Sequence, residues 1–413
     1  MKNNIFIIGA GGVAHVVAHK LASAPHMLGN LHIASRTIGK CDAIVASIRA
    51  RSGVQMAGQV QTHLLDAFDI AATMDLIVRT RASIVVNVGP SFLNMAVLRA
   101  CIETGAAYID TAVHEDPDKV CEQPPWYANH EWTHRAECER RGITAILGAG
   151  FDPGVVNAYV ALAAQDHFDT LQTVDIIDVN CGSHDKYFAT NFNAEINLRE
   201  FIGKVWTWQK GQWTSHEMFE ISRTDELPIV GRQKTYLTGH DEIHSLSSRF
   251  PQADIRFWMG FNDRYIAVFD VLKNLGLLSE KPVTMADGAN VVPLQLVKAV
   301  LPDPMSLAPG YTGKTFIGAL ITGIKDGRVG EILLYNTCDH AACFAEIGSQ
   351  AISYTAGVPA AAAALLVARG DWNVHRMVNV EQLPPRLFLG LIAEMGLPTL
   401  FCDQAHHAAA AES

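Results

Sequence analysis

The chain has 413 residues and a mass of 44.9 kDa, which at roughly 100–200 residues per domain predicts two or three domains. Apolar residues make up 49% and charged residues 18%, so intrinsic disorder is excluded: there is ample material to bury. Lys and Arg total 32 against 42 Asp and Glu, a net charge of −10, and such an acidic field argues against nucleic acid or an anionic membrane as partner.

Met1 to Ile5 runs directly into a strand pattern with no signal-peptide layout, so the expectation is a cytoplasmic protein. The longest nearly uncharged stretch, around 356–368, reads as too short for a membrane span of about 20 residues. The eight cysteines stand singly at 41, 101, 121, 138, 181, 338, 343 and 402. Without a Cys-x-x-Cys pair they read as reduced thiols, with no metal site.

Short apolar runs at 5–8, 31–34, 59–64, 84–88, 108–110 and 144–147 alternate with helical patterns, among them 94–103 and 126–141. Strands separated by helices of this length give βαβ units and a parallel sheet. From about 155 the texture changes: 174–179, 205–209, 255–259 and 315–324 read as strands, and six of the seven Trp lie beyond residue 130. Lys325-Asp326-Gly327 reads as a hairpin turn leading into 331–335. Beyond 340 the chain is helical again, with Pro359 in the first turn of an Ala-rich helix to 368, a last helix at 384–397, and a disordered tail at 405–413 whose His406-His407 pair is surface. The expected fold is α/β: a Rossmann doubly wound parallel sheet (1–154), an α+β substrate and dimerisation domain (155–345), and C-terminal helices returning to the first domain (346–413).

Gly9-Ala10-Gly11-Gly12-Val13-Ala14 follows the first strand and opens a helix. It fits the Gly-x-Gly-x-x-Gly/Ala fingerprint, in which glycines allow the turn and the close approach of a pyrophosphate to the helix N-terminus. The second strand ends in Ser35-Arg36-Thr37, with Lys40 one turn on, where an NAD site would carry an acid. Two hydroxyls and two cations suit a 2′-phosphate, so the expected cofactor is NADP(H). Later strand ends, Val88-Gly89-Pro90 and Asp110-Thr111, should line the same crevice, and Asp66 is a candidate adenine contact or a helix cap.

Residues 148–155, Gly-Ala-Gly-Phe-Asp-Pro-Gly-Val, form a rigid loop after the sixth strand, placing Gly150, Phe151, Asp152 and Pro153 near the nicotinamide. With 8–12, 34–40, 189–199, 313–318, 336–340, 348–359 and 379–382, this loop resembles the saccharopine dehydrogenase-like reductases over nearly the whole chain. The resemblance implies NADPH-dependent reduction of an imine formed between L-aspartate 4-semialdehyde and a diamine, 1,3-diaminopropane or putrescine. A saccharopine-type reductase acting on another amine, or a dinucleotide-binding sensor without catalysis, are the competing readings.

Such chemistry asks for positioning, a carboxylate near the nitrogen, an Arg for the amino acid's carboxylate and acids for the far ammonium. Asn191, Asn193, Glu195 and Arg199 offer such a set, with Glu195 and Arg199 sharing a face if helical. Asp152 is a candidate near the nicotinamide, and His240-Asp241 and Asp339-His340 are candidate proton-transfer or ammonium-binding groups. Two look-alikes are set aside: 309–315 lacks the first glycine of a phosphate loop, and 240–244 has Asp241 where a zinc-protease helix needs Glu. The aromatic second domain suggests a homodimer.

Overall fold

The computed structural model describes residues 2–24, 26–52, 59–116 and 122–403. The expectations about Cys121, the 405–413 tail and His406-His407 lie outside them. Strands β1 (Asn3–Ile8), β2 (Leu28–Ser35), β3 (Val60–Leu64), β4 (Ala82–Asn87), β5 (Ala107–Ile109) and β6 (Ala145–Leu147) alternate with helices. Then follow β7 (Thr170–Asn180), β8 (Val205–Gln209), β9 (Gln212–His216), β10 (Ser222–Leu227), β11 (Gly231–Thr238) and β12 (Asp254–Gly260). The chain continues with a small pair, β13 (Val283–Thr284) and β14 (Asn290–Val291), then β15 (Lys314–Lys325), β16 (Arg328–Asp339), β17 (Met377–Asn379) and β18 (Leu400–Asp403).

The first sheet is wholly parallel in the order β17-β6-β5-β4-β1-β2-β3. The strand order runs outward in opposite senses on either side of the β1–β4 pair, through β2 and β3 on one side and through β5 and β6 on the other, and this switch point places a ligand crevice at the carboxyl ends of the strands. The period-2 alternation of the strands divides their side chains between two cores. Ile5, Ile7, Ile33 and Val86 pack with helices Gly12–Ala22 and Ala351–Arg369, and Phe6, Ile8, Val85 and Tyr108 with Ile70–Thr80 and Asn94–Thr104.

The second sheet runs β10-β11-β12-β7-β15-β16-β18, with β8 beside β12 and β9 beside β8. β12 is parallel to β7, whereas β15 is antiparallel to it. The β15–β16 hairpin closes at Asp326-Gly327, both with positive φ (50° and 74°), as a tight two-residue turn requires.

Three sequence expectations need correction. The helix read at 126–141 breaks at His130 into Trp126–Asn129, a 3-10 turn Glu131–His134 and Arg135–Arg141. Pro359 lies in the middle of the 19-residue helix Ala351–Arg369, not in its first turn. Burial overrides its propensity cost: a Cβ at Gly357 would press on Val16 of the first helix, so the two helices pack backbone to backbone. That helix is also long and apolar enough by composition to cross a membrane, but 83% of its apolar window is buried inside the protein.

Candidate active site

The coenzyme crevice is built from backbone. Gly9 has φ +118°, and a Cβ there would lie 2.9 Å from the Val88 carbonyl, so the loops after β1 and β4 meet through this glycine. A Cβ at Gly11 would meet nothing within 4 Å. Gly11 is also the N-cap of helix Gly12–Ala22 without a side-chain cap, so that end offers free N–H groups to open space. A Cβ at Gly12 would collide with the Ser353 hydroxyl, and Val13 beside it is half-buried. At the end of β2, Ser35 Oγ accepts from Thr37 N at 3.0 Å, which turns the chain and leaves Arg36 and Thr37 exposed. Lys40 pairs with Asp303 of the second lobe at 2.8 Å. These residues fit an NADP(H) whose pyrophosphate rests on the helix N-terminus and whose 2′-phosphate meets Arg36 and Lys40. Val88, Gly89, Pro90 and Thr111 stand half-buried on the same rim.

Several expected coenzyme contacts are turned elsewhere. Asp66 is exposed, and its carboxylate accepts from Phe68 N at 3.2 Å as a turn residue. Asp110 is 1% exposed, and its carboxylate accepts from Gly148 N at 2.7 Å. Burial raises its pKa to about 7 despite that hydrogen bond. It therefore shapes the 148–154 loop from beneath. The loop closes on itself, with Gly150 N donating to Pro153 O at 2.8 Å and Val155 N to Gly150 O at 3.1 Å. Gly154 has φ +137°, and a Cβ there would strike Gly150 O. This winding buries Gly150, Phe151 and Pro153 and leaves Asp152 as the side chain presented at the junction of the lobes.

Opposite Asp152 lies an acidic chamber. Asp178, near the end of β7, lies beside Asp152, and His240, just past β11, stands close enough to act on both. His240 Nδ1 donates to Glu242 Oε2 at 2.6 Å, and the imidazole stacks on Phe257 at 4.2 Å and 10°. Glu242 is 0% exposed, and its second carboxylate oxygen has no partner. Asp241 reaches the first lobe, accepting from Val113 N at 2.8 Å. Glu200, at the end of helix Ala194–Glu200, completes the set, also with one oxygen unpartnered.

So many acids cannot all ionise together in a buried site. Desolvation and Asp178 push Asp152 well above the carboxylate range. Burial takes Asp178 to about 6, Asp241 to about 6 and Glu200 to about 8, against the pull of His240. Burial alone would lower His240, but Glu242, Asp152 and Asp241 carry it well above its ordinary value. The chamber's acids therefore hold their protons to higher pH than free carboxylates do. From Asp178 a cavity of about 400 Å3 opens outward, lined by Asn180, Asn197, Tyr265, Tyr311, Lys186 and Arg264.

The helix predicted to carry the substrate set exists, but its side chains point apart. Asn193 is its N-cap, accepting from Glu195 N at 3.0 Å. Glu195 and Arg199 do not pair: Glu195 takes Lys298 and Gln295 instead. Arg199, 3% exposed, is held by Glu115, Glu280 and the Asp116 carbonyl. Its guanidinium is committed to protein carboxylates, so the expected clamp on a substrate carboxylate is corrected to a bridge between the lobes. Asn191 accepts from Tyr311 OH at 2.8 Å and borders the cavity. Asp339 is a helix N-cap, accepting from Ala342 N at 3.0 Å, not a proton carrier.

His340 is likewise structural. It is 0% exposed, stacked on Tyr311 at 3.7 Å, with Ala351 N donating to Nδ1 and Nε2 facing Asn180 Oδ1. Burial lowers its pKa to about 4, so it stays neutral in one tautomer. Sequence reading missed Asp178, Glu200 and Arg264. One signal was available: residues 174–179, Val-Asp-Ile-Ile-Asp-Val, place two acids in an apolar strand. His244 of the zinc-like motif stacks on Trp126 and Trp213, and no metal-ligand cluster occurs among the described residues.

A dinucleotide crevice facing a proton-holding chamber defines an oxidoreductase. Residues 5–146 match the family model "Saccharopine dehydrogenase NADP binding domain" and 150–397 match "Saccharopine dehydrogenase C-terminal domain". The chain belongs to the saccharopine dehydrogenase family, and its coenzyme is NADP(H). Among its relatives, a carboxynorspermidine synthase of Vibrio alginolyticus is 43% identical over 394 residues, 95% of each chain. A carboxyaminopropylagmatine dehydrogenase of Synechocystis is 42% identical over 395 residues, 95% of this chain and 96% of the other. Among solved structures, the apo saccharopine dehydrogenase (L-Glu forming) of Saccharomyces cerevisiae shares the fold, with a TM-score of 0.70 at 13% identity over 97% of this chain and 99% of that one.

Proposed function

We propose that this chain uses NADPH to reduce the imine of L-aspartate 4-semialdehyde and a diamine, 1,3-diaminopropane or putrescine, giving carboxynorspermidine or carboxyspermidine. The observation that carries the reading is the acidic chamber of Asp152, Asp178, Glu200, His240 and Asp241 at the carboxyl end of the parallel sheet. The names of the relatives support the same product class. The coenzyme, when bound, supplies the hydride.

The chain's part is to hold the imine and manage its proton. Asp152 and Asp178 lie side by side at the lobe junction, and burial raises both above the ordinary carboxylate range. One of them protonates the imine nitrogen, and the carboxylate left behind stabilises the iminium cation. Glu200 and Asp241 receive the diamine's far ammonium. With Arg199 engaged, the amino acid's carboxylate turns to Arg264 and Lys186 on the cavity wall.

A saccharopine-type substrate, with its larger dicarboxylic amine, would need free cations in the chamber, where acids predominate. Agmatine is the second reading, favoured by the Synechocystis relative, because a guanidinium matches a carboxylate such as Glu200 as well as an ammonium does. The test is loss of nicotinamide absorbance with semialdehyde and each of 1,3-diaminopropane, putrescine and agmatine, with product mass determined. No turnover with any of the three amines would overturn the proposal.

We also read the chain as a cytoplasmic homodimer. Val271, Leu275, Met285, Leu296 and Val300 are at least half exposed along the 263–300 excursion of the second lobe, and this run of uncovered apolar side chains is what supports that reading. A single-chain mass by light scattering would reject the dimer.

A further inference from the structure

The cation expected at the 2′-phosphate already has a partner. Lys40 lies in the first turn of helix Ile38–Ser52, at the adenosine end of the crevice, and its ammonium meets Asp303 Oδ2 at 2.8 Å. Asp303 is far along the chain, in the second lobe, where it caps the 3-10 turn Pro304–Leu307. Its position is set by more than this ion pair. Asp303 Oδ1 accepts from Met305 N at 3.0 Å, and Ser306 Oγ donates to the Asp303 carbonyl at 2.6 Å. The cap aims the second carboxylate oxygen at Lys40.

The same turn reaches the glycine loop. A Cβ at Gly12 would lie 3.7 Å from Met305 Cγ. Residues 303–305 therefore run from the 2′-phosphate corner to the pyrophosphate corner, as a strap across the crevice. Lys40 and Asp303 are about half exposed, 52% and 48%, so their pair is readily exchanged.

We propose that Asp303 stands in for the coenzyme's 2′-phosphate on Lys40 in the free protein, and that NADPH binds by exchanging its phosphate for this carboxylate and freeing the strap. NADH carries no group to make the exchange and leaves the strap latched. Asp303 is thereby a specificity-determining residue supplied by the lobe opposite the coenzyme site. The inference rests on the NADP(H) assignment and is independent of the amine substrate.

The test is calorimetric binding of 2′,5′-ADP and 5′-AMP to the full chain and to Asp303→Asn, Lys40→Ala and the double variant. An exposed ion pair is weak, so Asp303→Asn should tighten 2′,5′-ADP by about two- to fivefold, leave 5′-AMP unchanged, and lose its effect when Lys40 is Ala. Unchanged or weaker 2′,5′-ADP binding in Asp303→Asn would overturn the exchange. So would an equal gain for 5′-AMP, or a gain that persists without Lys40, since each would mean that Asp303 acts other than through Lys40. Failure of the unaltered chain to bind either nucleotide would instead strike the coenzyme site itself.

Discussion

The two halves of the active site are made of different materials. The coenzyme crevice is glycine, backbone N–H and a few exposed cations, with Gly11 facing open space. The chamber opposite is a set of buried ionisable side chains from β7, the end of helix Ala194–Glu200 and the residues after β11. A crevice built from one βα turn is local in the chain, and its ligand is recognised by geometry. A chamber assembled from residues nearly 90 positions apart exists only after folding, and its ligand is recognised by charge.

The sharpest way to break this contrast is to alter one chamber acid. Asp178→Asn should lower kcat/KM for imine reduction by about 10²–10⁴-fold and leave NADPH affinity unchanged in a fluorescence titration. A matching loss of NADPH affinity would mean that the two halves are one. Next in size is Arg199→Ala, which removes a buried guanidinium and strands the half-buried carboxylates of Glu115 and Glu280. It should cost about 1–3 kcal/mol of stability in denaturant unfolding, and the protein should keep its KM for the semialdehyde. Arg264→Ala should do the reverse: an unchanged unfolding midpoint, with KM for the semialdehyde about 10–100-fold higher, the worth of one charge-assisted hydrogen bond.

The smallest expected effect is a tilt in stability with pH. Asp178, Asp241 and Glu200 have folded pKa values of about 6, 6 and 8, all raised above their unfolded values by burial. The folded chain therefore holds more protons than the unfolded one, and stability is lost as pH rises through these values. The melting temperature of the ligand-free chain should fall by a few degrees between pH 5 and pH 9. Added 1,3-diaminopropane should flatten that slope, while added NaCl at equal ionic strength should not.

The same contrast explains what could be read from the chain alone. The parallel sheet, the glycine loop and Ser35-Arg36-Thr37 were legible because each signal is contiguous. β8 appears at Val205–Gln209, as its alternation predicts. The chamber was legible only through Asp152, His240 and Asp241. Arg199 was misread because helical spacing shows which residues share a face but not the partners they meet. Glu115, Glu280 and Lys298 lie about 80 to 100 residues from the groups they capture. His340 carried the residue type of a proton donor, and only the Ala351 N–H on its Nδ1 reveals a neutral structural ring.

The late return of the chain to the first sheet bears on how the protein is made. β17 completes that sheet beside β6, Asn3 Nδ2 donates to Ala368 O at 3.0 Å, and Thr144 Oγ1 donates to Asn373 Oδ1 at 2.8 Å. During synthesis the nucleotide-binding lobe therefore waits, one strand and one covering helix short, until almost the entire polypeptide has left the ribosome. A nascent chain stalled near residue 150 exposes the flank of β6 and the face of the first helix, and is a natural client for chaperones.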